Sequence, residues 1–241
     1  MTKTLQVNHL RKAFGGVMAV DDISFEVAEG EMLALIGPNG AGKSTCFNMV
    51  GGQFPPSGGN ILLKGEQGEA VSIAGIGARR IWRLGVGRTF QITATFTSMT
   101  VRQNVQMALL ARRNMIWKFW ARANDLLKDE AQTLLETVGL RDQAERAAGI
   151  LAYGDLKRLE LAIALAGQPK LLLMDEPTAG MASGERTALM ALVRGLVSRT
   201  GISVLFTEHD MDVVFDVSDR ILVLDRGRLI AAGTGGGDQG E

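Results

Sequence analysis

The chain has 241 residues, 46% hydrophobic and 22% charged, and its 26 basic side chains balance its 26 acidic ones. That is enough chain for one globular domain with a sizeable core, without the basic bias of a nucleic-acid binder. A single cysteine excludes an intrachain disulfide. Neither a signal-peptide core nor an apolar run of the ~18 residues needed to span a bilayer is visible, so a soluble chain is expected, any membrane role coming through a partner.

In chain order, alternating polar and apolar residues predict strands over 5–10 and 23–27. Met32-Leu33-Ala34-Leu35-Ile36 is a short strand of buried type, and Gly37-Pro38-Asn39-Gly40-Ala41-Gly42-Lys43-Ser44-Thr45 follows it directly. This run fits the phosphate-loop pattern G-x-x-x-x-G-K-[ST], with a helix expected over 44–50. Its glycines let the backbone curl so that N–H groups face an anion, and the helix N-terminus adds partial positive charge at the same place. Lys43 would reach the β- and γ-phosphates of a nucleoside triphosphate, and the Ser44 hydroxyl would ligate Mg²⁺. Cys46, in the same helix, reads as a small buried residue; the alternative is a thiol whose modification blocks nucleotide binding.

Residues 51–60, rich in Gly, Pro and Ser, read as a turn region, and 61–64 as a strand. After 86–90 the character changes, and from 101 to about 140 the pattern is helical. A further helix is expected from just after Gly154 to Ala166. Strands over 171–174, 204–207 and 221–224 then alternate with helices over 185–199 and 211–217, which implies parallel strands with crossover helices. The expected architecture is an α/β phosphate-loop NTPase over 1–233, with an antiparallel β region at the N-terminus and a helical subdomain inserted at about 100–167. The glycine-rich tail 234–241 is expected to be disordered.

The strand Leu171-Leu172-Leu173-Met174-Asp175-Glu176 ends in two acids. Beside a phosphate loop, Asp175 would hold Mg²⁺ and Glu176 would polarise an attacking water; otherwise the pair merely caps a strand before Pro177. Gln91 lies between the two halves, where a glutamine could touch Mg²⁺ or the water. His209 follows the next strand, placed to donate a hydrogen bond to the γ-phosphate. His9 has no motif around it and reads as structural.

The order of phosphate loop, Gln91, Leu151-Ala152-Tyr153-Gly154, Asp175-Glu176 and His209 resembles the nucleotide-binding subunit of an ABC transporter over nearly the whole chain. The resemblance implies an ABC-cassette fold and ATP hydrolysis with Mg²⁺. It also implies a signature segment, Tyr153 and Gly154, that closes on the ATP held by a partner cassette. Phe14 would stack on adenine, with Val20 joining the nucleotide-binding set. Phe14-Gly15-Gly16, Arg88-Thr89-Phe90-Gln91, Arg158-Leu159-Glu160 and Glu208-His209-Asp210-Met211 narrow the likeness to the G-type cassette of branched-chain amino acid importers, close to importers of urea or short amides. Implied partners are two membrane permeases, a second cassette and, indirectly, an external binding protein, with the chain peripheral on the cytoplasmic face of the membrane and no nucleic acid involved.

Three departures stand out. Ala152, Tyr153 and Asp155 replace parts of the usual signature, and the extra carboxylate should repel a triphosphate unless Lys157 and Arg158 offset it. Ala182 stands where the family carries Asp or Asn, and the chain ends in glycines where a helix is usual. Asp155 and Ala182 leave open a regulatory cassette that binds ATP with weak hydrolysis; a DNA-repair type would need coiled coils or paired cysteines, which are absent. Trp117, Phe119 and Trp120, near Arg112, Arg113 and Lys118, are either a docking surface or ordinary packing of the helical block.

Overall fold

The two N-terminal stretches of alternation become long antiparallel strands, β1 (Lys3–Phe14) and β2 (Val17–Ala28), which pair from Lys3↔Ala28 to Phe14↔Val17 across the Gly15-Gly16 turn. In this computed structural model, which describes residues 2–89, 95–115 and 127–235, they form a four-stranded sheet with β4 (Gly58–Lys64) and β5 (Ala70–Ser72), in the order β2-β1-β4-β5. The expected turn region at 51–60 is therefore shorter, because Gly58 to Asn60 extend β4 by pairing with β1 as far as Arg11↔Gly58.

The second sheet has six strands. Met32–Ile36 forms β3, and β6 (Val86–Thr89), β7 (Leu171–Asp175), β8 (Ser203–Thr207) and β9 (Arg220–Asp225) join it in parallel, with β10 (Arg228–Thr234) antiparallel at the edge. The order is β10-β9-β3-β8-β7-β6. Strand β10 escapes sequence reading because its Ala-Ala-Gly centre is weak in β propensity; the Arg226-Gly227 turn brings it back onto β9, where Thr234 pairs with Arg220. Thr234 thus belongs to the sheet rather than to the tail, and 236–241 lie outside the described residues.

Side chains alternate across this sheet as the period of two requires. Leu33, Leu35, Leu171, Leu173 and Leu205 pack with α1 (Lys43–Val50) and the N-terminal sheet. Met32, Ala34, Leu172, Met174 and Phe206 face a helical layer on the other side. That layer contains α3 (Val101–Arg112), α4 (Lys128–Thr137), α5 (Tyr153–Ala166), α6 (Ser183–Thr200) and α7 (Met211–Val217), a short α2 (Ala78–Arg83) standing before β6. Truncating one of these fully buried leucines to alanine should cost about 2–5 kcal/mol.

The expected helical run 101–140 is interrupted: α3 ends at Arg112, and Asn114 turns left-handed at φ 54°. Residues 116–126, with Trp117, Lys118, Phe119 and Trp120, lie outside the described residues. Helix α3 begins on a capping box between Thr100 and Gln103. Helix α5 starts at Tyr153, two residues before the sequence suggests, so Gly154 lies in its first turn. Among the described residues, no helix is long and apolar enough to cross a membrane.

Candidate nucleotide-binding site

Because β3, β8 and β7 are parallel neighbours, the loops that leave their C-terminal ends emerge at one edge of the sheet. Those loops begin at Gly37, Glu208 and Glu176, and the C-terminal edge of such a sheet is where ligands of this architecture bind. Parallel pairing thereby collects residues that are far apart in the chain.

The Gly37–Thr45 run is pressed between β9 and β2. At Gly37, with φ 148°, a Cβ would stand 2.0 Å from the Leu224 carbonyl oxygen, so a side chain is sterically excluded. The Ala41 carbonyl accepts the N–H of Gly227 at 2.8 Å, pinning the loop to the β9–β10 turn. Lys43 is buried, and its Nζ donates to the carbonyls of Gly37 at 2.7 Å and Pro38 at 3.1 Å. Ser44 is exposed at the start of α1, and Pro38, Asn39 and Gly40 form the exposed crest of the loop. Val20, which the resemblance adds to the nucleotide contacts, presents no surface: it is fully buried, beside Gly42, and supports the loop from below.

The acidic strand end lies next to it. Asp175 Oδ1 accepts from the Thr207 hydroxyl at 2.8 Å, and Asp175 Oδ2 lies 3.6 Å from the Arg88 guanidinium. Arg88 also donates to Asn48 Oδ1 on α1 at 2.8 Å, so it joins the acidic strand to the helix behind the phosphate loop. Burial lowers the pKa of Arg88, and the Asp175 carboxylate opposes that shift. Glu176 Oε1 lies 2.8 Å from His209 Nε2. The glutamate backbone is left-handed, at φ 49°, and its N–H donates to Thr207 at both the carbonyl (3.2 Å) and Oγ1 (3.0 Å). Arg88 and Thr207 carry no motif signal of their own, although Arg88 stands in the run that ends at Gln91. Gln91 itself lies outside the described residues.

Phe14 is half exposed beside the Gly15-Gly16 turn, edge-on to Phe54 at 5.4 Å between ring centroids. Lys12 Nζ sits 5.1 Å from one ring and 4.9 Å from the other, which holds an aromatic ledge in place. Tyr153, also half exposed, donates its hydroxyl to the Ala179 carbonyl at 3.0 Å, in the loop that follows Glu176. Gly154 backs onto Glu185, whose Oε1 would lie 3.0 Å from a Cβ there. Lys157 turns inward to Glu160 at 3.2 Å, and Arg158 reaches the Val138 carbonyl at 3.4 Å. His9, at the N-terminal sheet, pairs with Asp22 at 2.9 Å.

Cys46 is fully buried in α1, and burial pushes its thiol pKa up to about 12. A thiol so placed is unreactive. The folded protein should therefore take up negligible thiol reagent over hours at pH 7.5 and one equivalent in denaturant. Rapid labelling of the native chain, measured by mass spectrometry, would contradict the burial.

Comparison with known proteins gives a consistent result. A family model described as ABC transporter matches residues 20–179. The high-affinity branched-chain amino acid transport ATP-binding protein LivG of Escherichia coli K12 is 40% identical over 237 residues, which cover 95% of this chain and 91% of that protein. BraF of Pseudomonas aeruginosa, with the same description, is 39% identical over 239 residues, with 95% and 91% covered. A solved ATP-binding cassette of an ABC transporter, in its ADP conformation, superposes with a TM-score of 0.87 at 30% identity, covering 98% of this chain and 92% of that one.

Proposed function

The chain belongs to the ABC transporter family as an ATP-binding, ATP-hydrolysing cassette, and from that premise we propose that it energises import of branched-chain or closely related amino acids. The substrate class rests on the likeness to LivG and BraF. Two membrane permeases and a second cassette complete the transporter, with the chain peripheral on the cytoplasmic face. A cleft of about 260 Å³ lined by Gly51, Ile81, Trp82, Arg88 and Ile163, between the sheet and the helical layer, supports a route for contact with a permease.

The observation that carries the mechanism is the 2.8 Å contact of Glu176 with His209, beside Asp175 at the strand ends nearest the phosphate loop. Glu176 polarises the attacking water, and His209 steadies both Glu176 and the γ-phosphate. Lys43 leaves the Gly37 and Pro38 carbonyls to reach the β- and γ-phosphates. Loop N–H groups and the α1 N-terminus bind phosphate oxygens, and Phe14 receives the adenine. Gln91 would help to hold the metal and the water. Tyr153 and Gly154 close on nucleotide held by the partner cassette.

The residues suit Mg²⁺. Among the described residues no cluster of three or more His, Cys, Asp or Glu could hold a metal alone. Mg²⁺ in nucleotide sites takes one or two carboxylates, with phosphates and waters as its other ligands. Ser44 and Asp175 would supply the protein oxygens, with Gln91. Bound there, the ion would neutralise charge developing on the phosphates.

With the permeases in proteoliposomes, phosphate release should rise several-fold when a binding protein loaded with leucine, isoleucine or valine is added. Stimulation by another solute alone would overturn the substrate class. Ala182 and Asp155 favour a second reading in which this chain's own homodimer is a slow ATPase that a different cassette accelerates. Equal rates for the purified chain and the assembled transporter would remove that reading.

A further inference from the structure

Three successive residues after β8 each hold a different point of the segment that leads from Glu176 into α6. His209 meets Glu176, Asp210 pairs with Arg186, and Glu208 takes Thr178. Glu208 is the buried member, 5% exposed. Its Oε1 accepts both the N–H of Thr178 at 2.8 Å and the Thr178 hydroxyl at 2.7 Å, while Oε2 accepts the N–H of His209 at 3.2 Å. One carboxylate therefore binds the loop of the water-polarising glutamate to the loop of the histidine that touches it.

The tie has something to hold. Glu176 sits in the left-handed region, which a glutamate keeps only where its surroundings impose it. Thr207 fixes its amide from one side, and the Glu208–Thr178 bonds fix the chain two residues further on. Buried carboxylates persist when hydrogen-bonded, and charge-assisted bonds of this kind are about twice as strong as neutral ones.

We propose that Glu208 is a positioning residue for ATP hydrolysis, holding Glu176 and His209 in register through Thr178. The proposal rests on the roles given above to Glu176 and His209. Since a misplacement of about 1 Å can cost about 10²-fold in rate, Glu208→Ala should lower kcat about 10- to 100-fold. Its KM and its affinity for a fluorescent ATP analogue should stay within about twofold, because the phosphate loop is untouched. Glu208→Gln, whose carbonyl can still take both Thr178 donors but whose amide nitrogen cannot accept the His209 N–H, should recover part of kcat.

The deciding measurement is epistasis in the assembled transporter. In a Glu176→Gln background, Glu208→Ala should cost far less than in the parent, since most of its effect passes through Glu176 and only the share through His209 remains. Should Glu208→Ala fold poorly by thermal melting, Thr178→Val replaces it, with an expected loss of about 3- to 10-fold as one hydrogen bond is removed. An undiminished kcat in both Glu208→Ala and Thr178→Val, or a full additional loss in the Glu176→Gln background, overturns the proposal while leaving the role of Glu176 intact. Full activity of Glu176→Gln by itself overturns both.

Discussion

Glu176→Gln should lower ATP turnover by about 10²–10³-fold and leave ATP affinity within about twofold. Removing a positioned general base costs on the order of 10²–10⁴ in rate, and about 10²–10³ corresponds to about 3–4 kcal/mol of transition-state stabilisation. Glutamine has the size of glutamate and keeps a carbonyl oxygen that can meet His209 at the present 2.8 Å. The left-handed backbone and the bonds of its N–H to Thr207 are also unchanged. The loss is therefore one of charge and basicity, not of geometry, and the melting temperature should move little. Phosphate release and nucleotide titration on the same preparation separate the two effects. Turnover near the parent rate would show that another group activates the water.

Lys43→Ala should act at the opposite stage. The ammonium is buried between the carbonyls of Gly37 and Pro38, at the mouth of a loop whose backbone cannot accept a side chain at Gly37. Hydrogen bonds to a charged partner contribute about 1.5–3 kcal/mol each, so ATP affinity should fall about 10- to 100-fold, with hydrolysis falling further. The stabilisation that saturating ATP confers, which grows with the logarithm of ligand over Kd, should shrink in parallel in a thermal-shift experiment. An unaltered ATP-induced shift would remove Lys43 from the phosphate contacts. Together the variants divide the site: one binds without turning over, the other fails to bind.

Most of the second sheet was legible because its strands carry period-two or continuous apolar patterns bounded by turn residues. Met32–Ile36 and Met211–Val217 have the ends that the sequence implies. What escaped was weakly patterned: Ala70–Ser72, Ala78–Arg83 and Arg228–Thr234 are short or poor in strong formers, and their neighbours hold them in place. The phosphate loop was legible for a different reason. Its chemistry is contained within nine consecutive residues whose spacing is itself the mechanism.

The rest of the site could not be read in that way. Glu176 and His209 are separated by 33 positions, and Thr178 and Glu208 by 30. A sequence shows each of these residues beside its own strand, but not that the strands are adjacent. The phosphate loop and the acidic pair were legible in the sequence alone, because local spacing encodes them, and the ABC family through the resemblance that the motifs carry in their order along the chain. That Glu176 touches His209, that Arg88 offsets Asp175, that Val20 lies under the loop and that Glu208 joins two loops were decided only by the tertiary structure. Parallel register between β7 and β8 sets Asp175 opposite Thr207, and every later contact at that edge depends on that alignment.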